Sequence, residues 1–305
     1  MAQLPQISIV FPNLNGASLT IDCLKSIRKL NYPKSKIETI VVDNHSTDGS
    51  QQKIKQSYPH VKLIENKTNL GFAKAVNQAV EDSRSKLIFV TNNDVFLEKN
   101  CLNILVDYLI THKNVGVVGP SVYSQNSRKI LHSSLKFNLY TGLFRKNVKK
   151  SKEVESDWIE GSGMLFKRTL WEKLGGFDEG FFFIFEDLDF CRRAAKIGYK
   201  IVALKDAIIQ HKVGATVNRK EMQNLKFYEG YKSKMRFTIK HASIVQIATS
   251  LFLQFAIYAP YRFLIIREPS LNPLIRATFW TLTHLGEITK ARTKNKQSFS
   301  TNKQS

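Results

Sequence analysis

Short apolar runs alternate with amphipathic segments between residues 7 and 120. The runs are rich in Val and Ile and nearly continuous in hydrophobicity, as in strands buried on both faces of a parallel sheet. They are ISIVFP, ETIVVD, VKLIEN, KLIFVT and VGVVGP. The segments between them, TIDCLKSIRKL, GFAKAVNQAV and NCLNILVDYLITH, carry apolar residues at helical spacing. This alternation predicts an α/β domain with a doubly wound, mostly parallel sheet flanked by helices.

The pattern becomes regular again from Trp158. WIEGSGMLFKR is typical of a strand or turn, TLWEKLGGF of a short helix that ends at its glycines, and DLDFCRRAAKIG of a helix closed by Gly198. YKIVALKDAIIQH then predicts a strand that ends at His211. We place the α/β domain in residues 1–215 and a basic and apolar, membrane-associating helical appendage in residues 216–305, of which the last dozen residues are expected to form a disordered tail.

The appendage contains the run ASIVQIATSLFLQFAIYAPY, 20 residues without a charge at positions 242–261. This length is sufficient for a transmembrane helix. However, polar residues lower its hydrophobicity and basic residues flank both ends, so no orientation is favoured for a single span. An interfacial or re-entrant pair with LNPLIRATFWTLTHLG fits better. One span and a soluble helical cap remain open.

The net charge of +21 is unevenly distributed, with 15 Lys and Arg against 4 Glu from Thr216 onward. A basic excess indicates a polyanionic partner, either nucleic acid or an anionic membrane surface. Because this excess surrounds an apolar segment, we favour anionic lipid and expect no nucleic acid, although a nucleic-acid-binding protein is the rival of a different class. Three cysteines without metal-ligand spacing favour a reducing compartment, and hence the cytoplasmic face of a membrane.

Polar clusters follow three of the predicted strands. They are Pro12-Asn13-Leu14-Asn15, Asp43-Asn44-His45-Ser46 and Asn92-Asn93-Asp94. Each cluster alone could cap a helix or form a turn. Ligands of open α/β sheets bind beyond the carboxyl ends of the strands, so three such clusters predict one shared pocket.

The sequence lacks the phosphate-binding patterns GxGxxG and GxxxxGK[ST]. An anionic nucleotide would then need a metal ion and side chains to neutralise it. Asp94 is the candidate anchor for Mg²⁺ or Mn²⁺, which prefer oxygen ligands and often retain substrate phosphates in their shell.

A second constellation, FFFIFEDLDFCRR, offers three carboxylates at the start of a helix: Glu186, Asp187 and Asp189. The preceding apolar residues could raise the pKa of a carboxylate toward neutrality, as a general base requires. Stabilisation of the helix N-terminus is the alternative role. It suits Asp189, because Arg192 and Arg193 follow three and four residues later.

Six segments in order resemble glycosyltransferase family 2, and most closely its rhamnosyltransferase-like members that build bacterial surface glycans. The resemblance covers about residues 5–215. Its segments are IVFPNLNG, IVVDNHSTDGS, NLGFAKAVNQA, FVTNNDV, the stretch from EGSGMLFKR to RRAAKIGYK, and IIQHKVGAT.

The resemblance implies a GT-A fold, a divalent metal and inversion at the anomeric carbon. It also implies a nucleotide-diphospho-sugar donor, dTDP-rhamnose or a UDP-sugar, and a lipid-linked glycan acceptor. The QxxRW motif of processive synthases is absent from the sequence, which favours addition of a single sugar.

On the donor side, the resemblance assigns Pro12, Asn13 and Asn15 to the nucleoside pocket and Asp43 to the base. The DxD metal motif corresponds to Asn92-Asn93-Asp94, which keeps only the last carboxylate. Asn92 and Asn93 are therefore assigned to nucleotide binding, and Asp94 to the metal. A catalytically weak member that acts as a scaffold is the alternative.

On the acceptor side, the resemblance assigns the general base to Asp187 and support of the site to Glu186. His211 corresponds to a metal-binding histidine of the family. The turn formed by Gly161, Ser162 and Gly163 is expected near the sugar and the acceptor.

Overall fold

Two units make up the computed structural model, which describes residues 4–125, 127, 129–148, 151–212, 223–265 and 271–300. The first unit takes in Met1–Leu135, Lys146–Phe182 and Glu186–Thr216. The second takes in Lys136–Arg145, Phe183–Phe185 and Val217–Ser305.

Four parallel strands form one half of the main sheet of the first unit. They are β1 (Ile7–Asn13), β2 (Ile37–Asp43), β3 (Lys62–Glu65) and β4 (Leu87–Thr91), and they lie in the order β4-β1-β2-β3. Helices α1 (Ala17–Arg28), α2 (Ser50–Ser57) and α3 (Phe72–Asp82) connect them, with a 3₁₀ turn at Lys34–Lys36. The predicted alternation of strands and helices is confirmed here, and the carboxyl ends of β1, β2 and β4 lie side by side.

Further strands extend the sheet beyond β4, in the order β10-β12-β6-β11-β4. Two short strands lie off this path: β5 pairs with β12, and β7 pairs with β6. Their bounds are β5 (Val95–Leu97), β6 (Val115–Ser124), β7 (Ile130–His132), β10 (Glu153–Glu155), β11 (Gly163–Lys167) and β12 (Lys200–His211). A separate two-stranded sheet pairs β8 (Ser134–Asn138) with β9 (Leu143–Asn147). The associated helices are α4 (Cys101–Thr111), α5 (Arg168–Leu174) and α6 (Glu186–Lys196).

The main sheet is mixed, which corrects the prediction of a mostly parallel sheet. β11 runs antiparallel to both of its neighbours and pairs Gly163 with Thr91 of β4 and Leu165 with Val118 of β6. A parallel strand at this position would need a crossover connection, usually a helix. The described residues between β6 and β11 instead form short strands and turns, so the chain enters β11 from the opposite end.

Both faces of the sheet are buried, and one large core cluster of the first unit lies on one of them. Alternate residues of β1 and β4 (Ile7, Ile9 and Phe11; Leu87 and Phe89) pack there against the apolar stripes of α1 and α4. Burial of such side chains contributes about 25 cal/mol per Å² of apolar surface. The three cysteines are free and buried, and burial raises the pKa of each thiol, so they behave as small apolar residues.

Helices form the second unit: α7 (Gln223–His241), α8 (Ile244–Leu253), a π-helical turn (Gln254–Tyr258), α9 (Ala259–Leu264), α10 (Asn272–Thr283) and α11 (Leu285–Ser300). A small core joins α7 to the helices that follow it, through Tyr231, Met235, Ala259, Leu274 and Ala277. The N-terminus of α8 is closed by a capping box, in which Ser243 and Gln246 satisfy each other's backbone N–H groups.

The segment Ile244–Leu264, hereafter the apolar helix, runs through α8, the π-helical turn and α9. Its 21 residues reach a mean hydropathy of 1.3 over an 18-residue window, of which only 17% is buried. Phe252 and Leu264 are 66% and 68% exposed. Helices of soluble proteins usually bury their apolar stripe, and contiguous exposed apolar surface is typical of interaction sites.

Gly71 and Gly49 each precede a helix and have a positive φ, but they differ in how closely they are packed. Gly71 has φ +82° and ψ 177°, a region open essentially to glycine, and an added Cβ would lie 2.4 Å from the carbonyl oxygen of Phe182. Gly49 has φ +77° and ψ 16°, and a Cβ there would meet nothing within 4 Å.

We expect Gly49→Ala to lower the free energy of unfolding by about 1 kcal/mol, the cost of a left-handed conformation. Gly71→Ala should lower it by about 3 kcal/mol or more, because the steric clash adds to the conformational strain. Urea denaturation of both variants measures the difference. Equal losses would contradict the close approach of Gly71 to Phe182.

Candidate active site

The side chain of Asn13 connects the ends of three strands. Its Nδ2 donates to Asp43 Oδ2 at 2.7 Å and to Ser46 Oγ at 3.1 Å. Its Oδ1 accepts from Thr20 Oγ1 at 2.8 Å and from Asn93 Nδ2 at 3.0 Å. The predicted clusters after β1, β2 and β4 therefore meet in one buried network.

Asp43 lies at the end of β2, fully buried, with both carboxylate oxygens engaged. Besides Asn13, it accepts from the backbone N–H of Ser46 at 2.8 Å and from Gln51 Nε2 at 2.7 Å. A hydrogen bond from a nucleotide base to Asp43 would have to share or replace one of these donors. Gln51 is the most readily displaced, because its side chain is flexible.

Pro12 and Asn15 flank this network on the β1 side. Pro12 pairs in register with Val42 near the end of β1. Asn15 adopts φ +49°, donates its N–H to Ser46 Oγ at 2.8 Å and accepts from the N–H of Thr47 at 2.7 Å. Asn15 therefore holds the loop after β2 against the loop after β1, and this contact shapes the edge of the pocket.

Asp94 and His211 are brought together although 117 residues separate them. His211 Nε2 lies 3.1 Å from Asp94 Oδ1, and the N–H of Lys212 donates to the carbonyl of Asp94 at 3.0 Å. The cause is the antiparallel register of β12 with β5, which sets His211 opposite Val95. Asn92 takes a different position, in which its carbonyl accepts a weak bond from Cys23 Sγ at 3.6 Å.

The donor set fits a divalent cation that a substrate also coordinates. Within the described part of the chain, no three His, Cys, Asp or Glu side chains group together as a closed metal site. A carboxylate oxygen and an imidazole nitrogen offer two ligands, and Mg²⁺ and Mn²⁺ commonly complete their shells with substrate phosphates and water. Asp94 and His211 are the residues that could hold such an ion.

The carboxylates in the first turn of α6 lie in different environments. Asp189 is fully buried and accepts from Arg193 Nε at 2.7 Å, while the same guanidinium donates to the carbonyls of Leu174 and Gly176. Asp189 thus anchors α6 to the end of α5. The predicted pairing with Arg193 is observed.

Asp187 has no cation among its described hydrogen-bond partners. Its Oδ2 accepts from the N–H of Gly161 at 2.9 Å, and its Oδ1 accepts from the N–H of Leu188 at 2.7 Å. Burial raises the pKa of Asp187 to about 7, and the negative charge of Glu160 acts in the same direction. A carboxylate with such a pKa can accept and release a proton near neutral pH.

Glu186, the neighbour of Asp187, is 5% exposed. Its Oε2 finds no hydrogen-bond partner among the described residues, and burial followed by the charge of Asp187 raises its pKa well above the usual range. The residues just before it, Ile184 and Phe185, have φ of +69° and +79°. Such strain in β-branched and bulky residues is typical of functional sites.

The turn at Gly161, Ser162 and Gly163 is positioned between β4 and α6. The backbone carbonyl of Ser162 accepts from Thr91 Oγ1 at 2.9 Å, and the N–H of Gly161 donates to Asp187 Oδ2. A Cβ on Gly161 would lie 3.1 Å from the ring of Phe72, and one on Gly163 would lie 2.8 Å from Pro120. Both glycines therefore have a packing role, and Gly161 also supplies a hydrogen-bond donor to the acidic cluster.

His132 and Glu160 form a pair that was not predicted from the sequence. His132 Nε2 lies 3.1 Å from Glu160 Oε2. Burial alone would raise the pKa of Glu160, but the hydrogen bond and charge of His132, with the charges of Lys146 and His211, lower it to about 2. Glu160 is thus ionised. Its negative charge raises the pKa of Asp187 and interacts electrostatically with His211. In the sequence, Glu160 could have been found from its position directly before the glycine turn. No feature of the sequence marked His132.

Comparison with known proteins gives this arrangement a context. The family described as Glycosyl transferase family 2 matches residues 8–175. The N-acetylglucosaminyl-diphospho-decaprenol L-rhamnosyltransferase of Mycobacterium tuberculosis is 29% identical over an alignment of 210 residues, and the match covers 59% of this chain and 68% of that protein. The O-antigen chain rhamnosyltransferase WbaN of Salmonella anatum is 24% identical over 214 residues, covering 68% of this chain and 66% of that protein.

Solved structures share the fold. Mannosyltransferase PcManGT from Pyrobaculum calidifontis, in complex with GDP-Man and Mn²⁺, superposes with a TM-score of 0.59 at 19% identity and covers 99% of this chain and 88% of that one. A fragment of TarS from Staphylococcus aureus gives a TM-score of 0.59 at 18% identity, over 98% and 90%. The GT-A-like α/β architecture is therefore confirmed.

The raised pKa of Asp187 predicts a stability effect that depends on pH. Between the ordinary carboxyl pKa of 3.8 and about 7, the folded chain keeps a proton that the unfolded chain has lost. Stability therefore falls as the pH rises through this window, and the full penalty applies above it. Asp187→Asn removes the penalty, so the melting temperature should rise at pH 8 by several degrees and change little at pH 4.

Thermal unfolding of the ligand-free protein at both pH values tests this expectation. Asp189→Asn is the matched control, because it breaks the ion pair with Arg193 and should lower the melting temperature at pH 8. If Asp187→Asn instead has a lower melting temperature at pH 8, the fold stabilises the ionised carboxylate and the prediction is wrong.

Proposed function

Because the chain belongs to glycosyltransferase family 2, a family of sugar-transferring enzymes, we propose that it is a metal-dependent inverting enzyme that adds a single sugar. The proposed donor is dTDP-rhamnose or a UDP-sugar, and the proposed acceptor is a lipid-linked surface glycan. Two relatives that carry the name rhamnosyltransferase favour rhamnose, and one of these names specifies a diphospho-decaprenol. The observation that carries the proposal is the approach of His211 Nε2 to the Asp94 carboxylate beyond β4.

On the donor side, the buried network around Asn13 would form the floor of the nucleoside pocket. Pro12, Asn15 and Asp43 would shape it from β1 and β2, and Asn93 would close it from β4. Asp94 and His211 would hold Mg²⁺ or Mn²⁺. The ion, when bound, would supply positive charge to the diphosphate. The phosphate oxygens of the donor would take the place of the missing second carboxylate of the DxD motif.

On the acceptor side, Asp187 would accept the proton of the attacking hydroxyl. The acceptor oxygen forms a bond to the anomeric carbon from the face opposite the nucleoside diphosphate, whose oxygen leaves with the bonding electrons. The N–H of Gly161 orients the carboxylate for this step. Glu186, which is buried beside it, would support the acceptor or the shape of the site.

The second unit would place the enzyme at the cytoplasmic face of a membrane. The apolar helix is exposed, and its neighbourhood is rich in Lys and Arg, a combination that suits an anionic bilayer surface. The exposed apolar residues of α10, such as Ile275 and Phe279, extend this surface beyond the apolar helix. This supports a peripheral or re-entrant helical pair, with a single span as the alternative.

The metal assignment is tested by a pair of alanine variants. We expect Asp94→Ala to weaken Mn²⁺-dependent binding of dTDP-rhamnose or a UDP-sugar by about 100-fold or more, since even outer-sphere partners of a metal contribute 10- to 100-fold. Asn92→Ala should weaken it by less than about tenfold. Calorimetry with and without Mn²⁺ measures both effects. Unchanged metal dependence in Asp94→Ala would exclude this residue as a ligand.

The base assignment is tested by turnover. Asp187→Asn should reduce kcat by about 10²- to 10⁴-fold while donor affinity is kept, because a general base contributes by that order. In the unmodified enzyme, kcat should rise with pH and level off above about 7, as the carboxylate becomes ionised. Asp189→Asn serves as the control and should retain most turnover per folded molecule. The reverse ranking of these two variants would interchange their roles.

A further inference from the structure

The peptide group between Glu160 and Gly161 is hydrogen-bonded at both of its polar atoms. Its N–H, which belongs to Gly161, donates to Asp187 Oδ2 at 2.9 Å. Its carbonyl, which belongs to Glu160, accepts from the N–H of Gly163 at 3.0 Å. The orientation of this one peptide group therefore decides whether Asp187 receives a hydrogen bond from the turn.

The side chain of Glu160 is held from a different element. His132 is the last residue of β7 and is 4% exposed, and its Nε2 lies 3.1 Å from Glu160 Oε2. Because the pKa of Glu160 is lowered to about 2, its carboxylate is ionised at neutral pH and can only accept hydrogen bonds. The Nε2 of His132 therefore carries the proton and donates it. β7 pairs with β6, where Val122 lies opposite His132, so this donor is fixed to the main sheet.

A fixed Glu160 side chain restrains the peptide group that follows it. The side chain and the carbonyl leave the same Cα atom, so holding one limits the rotations that are open to the other. Gly161, on the far side of the peptide bond, has no Cβ and offers little resistance to rotation. The restraint on this peptide group therefore comes from the Glu160 side, and His132 is the hydrogen-bond donor that the structure places there.

We propose that His132 is a positioning residue for the general base: by holding the Glu160 side chain, it keeps the N–H of Gly161 directed at the Asp187 carboxylate. This inference rests on the proposed function, in which Asp187 accepts the proton of the acceptor hydroxyl. A base must lie within hydrogen-bond reach of that hydroxyl and face it. Rotation of the carboxylate after loss of the Gly161 hydrogen bond would turn its accepting oxygen away from the substrate.

Charged and titratable groups from several elements act on the two carboxylates of this arrangement. Those that act on Glu160 are His132 of β7, Lys146 of β9 and His211 of β12. Those that interact with Asp187 are Glu160, Glu186 and Cys191, and Asp189 acts in turn on Glu186 and Cys191. Lys146 and His211 act on Glu160 through their charges, whereas His132 also donates a hydrogen bond, which fixes a direction. The charge of Glu160 and its position can therefore be tested separately.

The amide signal of Gly161 in the ligand-free, full-length protein reports the hydrogen bond to Asp187. Labelling with ¹⁵N-glycine gives one amide signal for each of the 15 glycines, and Gly161→Ala identifies the signal by removing it. The amide proton should move downfield as the carboxylate ionises, because an ionised acceptor forms the stronger hydrogen bond. The midpoint should lie at the pKa of Asp187, about 7, and Asp187→Asn should abolish the movement.

Two amide substitutions of His132 form a matched pair. The side-chain nitrogen of glutamine can take the place of Nε2, whereas asparagine is shorter by one methylene and does not reach Glu160. His132→Gln should therefore keep the titration of the Gly161 amide, and His132→Asn should abolish it. His112→Asn makes the same change at an exposed histidine that follows α4 and should leave the titration unchanged.

Substitutions of Glu160 separate its charge from its position. Glu160→Gln still accepts the hydrogen bond of His132, so the Gly161 amide should still titrate. Its midpoint should fall to lower pH, because the Glu160 charge no longer raises the pKa of Asp187. Glu160→Ala removes the held side chain itself and should abolish the titration, which keeps the test decisive if His132→Asn does not fold.

Three results would each overturn the proposal. They are an unchanged Gly161 titration in both His132→Asn and Glu160→Ala, an equal loss of titration in His132→Gln and His132→Asn, and a loss of titration in Glu160→Gln.

Turnover distinguishes this inference from the proposed function. In an enzyme that transfers sugar, His132→Asn should lower kcat by at least about tenfold, because a reacting group that is slightly misplaced loses that much or more. The affinity for the donor with Mn²⁺ and the KM for the acceptor should stay unchanged. An equal fall in donor affinity would give His132 a general structural role and overturn the proposal. If no sugar is transferred but the Gly161 titration depends on His132 as expected, the positioning contact stands and the proposed function alone is wrong.

Discussion

The hydrogen-bonding capacity of one buried amide, that of Asn13, holds together the loops that follow β1, β2 and β4. Its two N–H groups and both lone pairs of its oxygen are used, by Asp43, Ser46, Thr20 and Asn93. An amide with all four positions engaged has one orientation only. The loops after β1, β2 and β4 are therefore fixed relative to one another, and Asp94 follows directly from the last of them. A hydrocarbon side chain at position 13 would leave the buried Asp43 carboxylate short of one donor and would remove the hydrogen bonds through which Asn13 joins Asn93 to Asp43 and Ser46.

The acidic residues of α6 show how one helix turn can provide both stability and reactivity. Asp189 is buried against a guanidinium that three acceptors hold in place, so its charge is compensated. Among the described residues, Asp187 receives hydrogen bonds from backbone N–H groups alone. Its burial, and then the charge of Glu160, destabilise its ionised form. The difference depends on helix geometry, because Asp189 reaches Arg193 four residues later, whereas Asp187 faces the glycine turn.

Local patterns in the sequence were sufficient for the elements and for the convergence of the strand ends. Apolar periodicity located β1 to β4 and the helices α1, α3 and α4, but not the polar helix α2. The rule that ligands bind beyond strand ends brought Asn13, Asp43 and Asp94 together. Strand direction was not available from periodicity, so the antiparallel insertion of β11 was missed. The pair of His132 and Glu160 was missed for the same reason, because it depends on how an irregular segment returns to the sheet. The approach of His211 to Asp94 was expected only through the resemblance to a family.

The outer strands of the main sheet, β3 and β10, show how the first unit avoids self-association. Each is short, β3 with four residues and β10 with three, and each begins and ends with an exposed charged residue. A strand from a second molecule that added to either edge would have to desolvate these charges before gaining a few backbone hydrogen bonds. Growth of the sheet into intermolecular β-structure is therefore disfavoured at both edges.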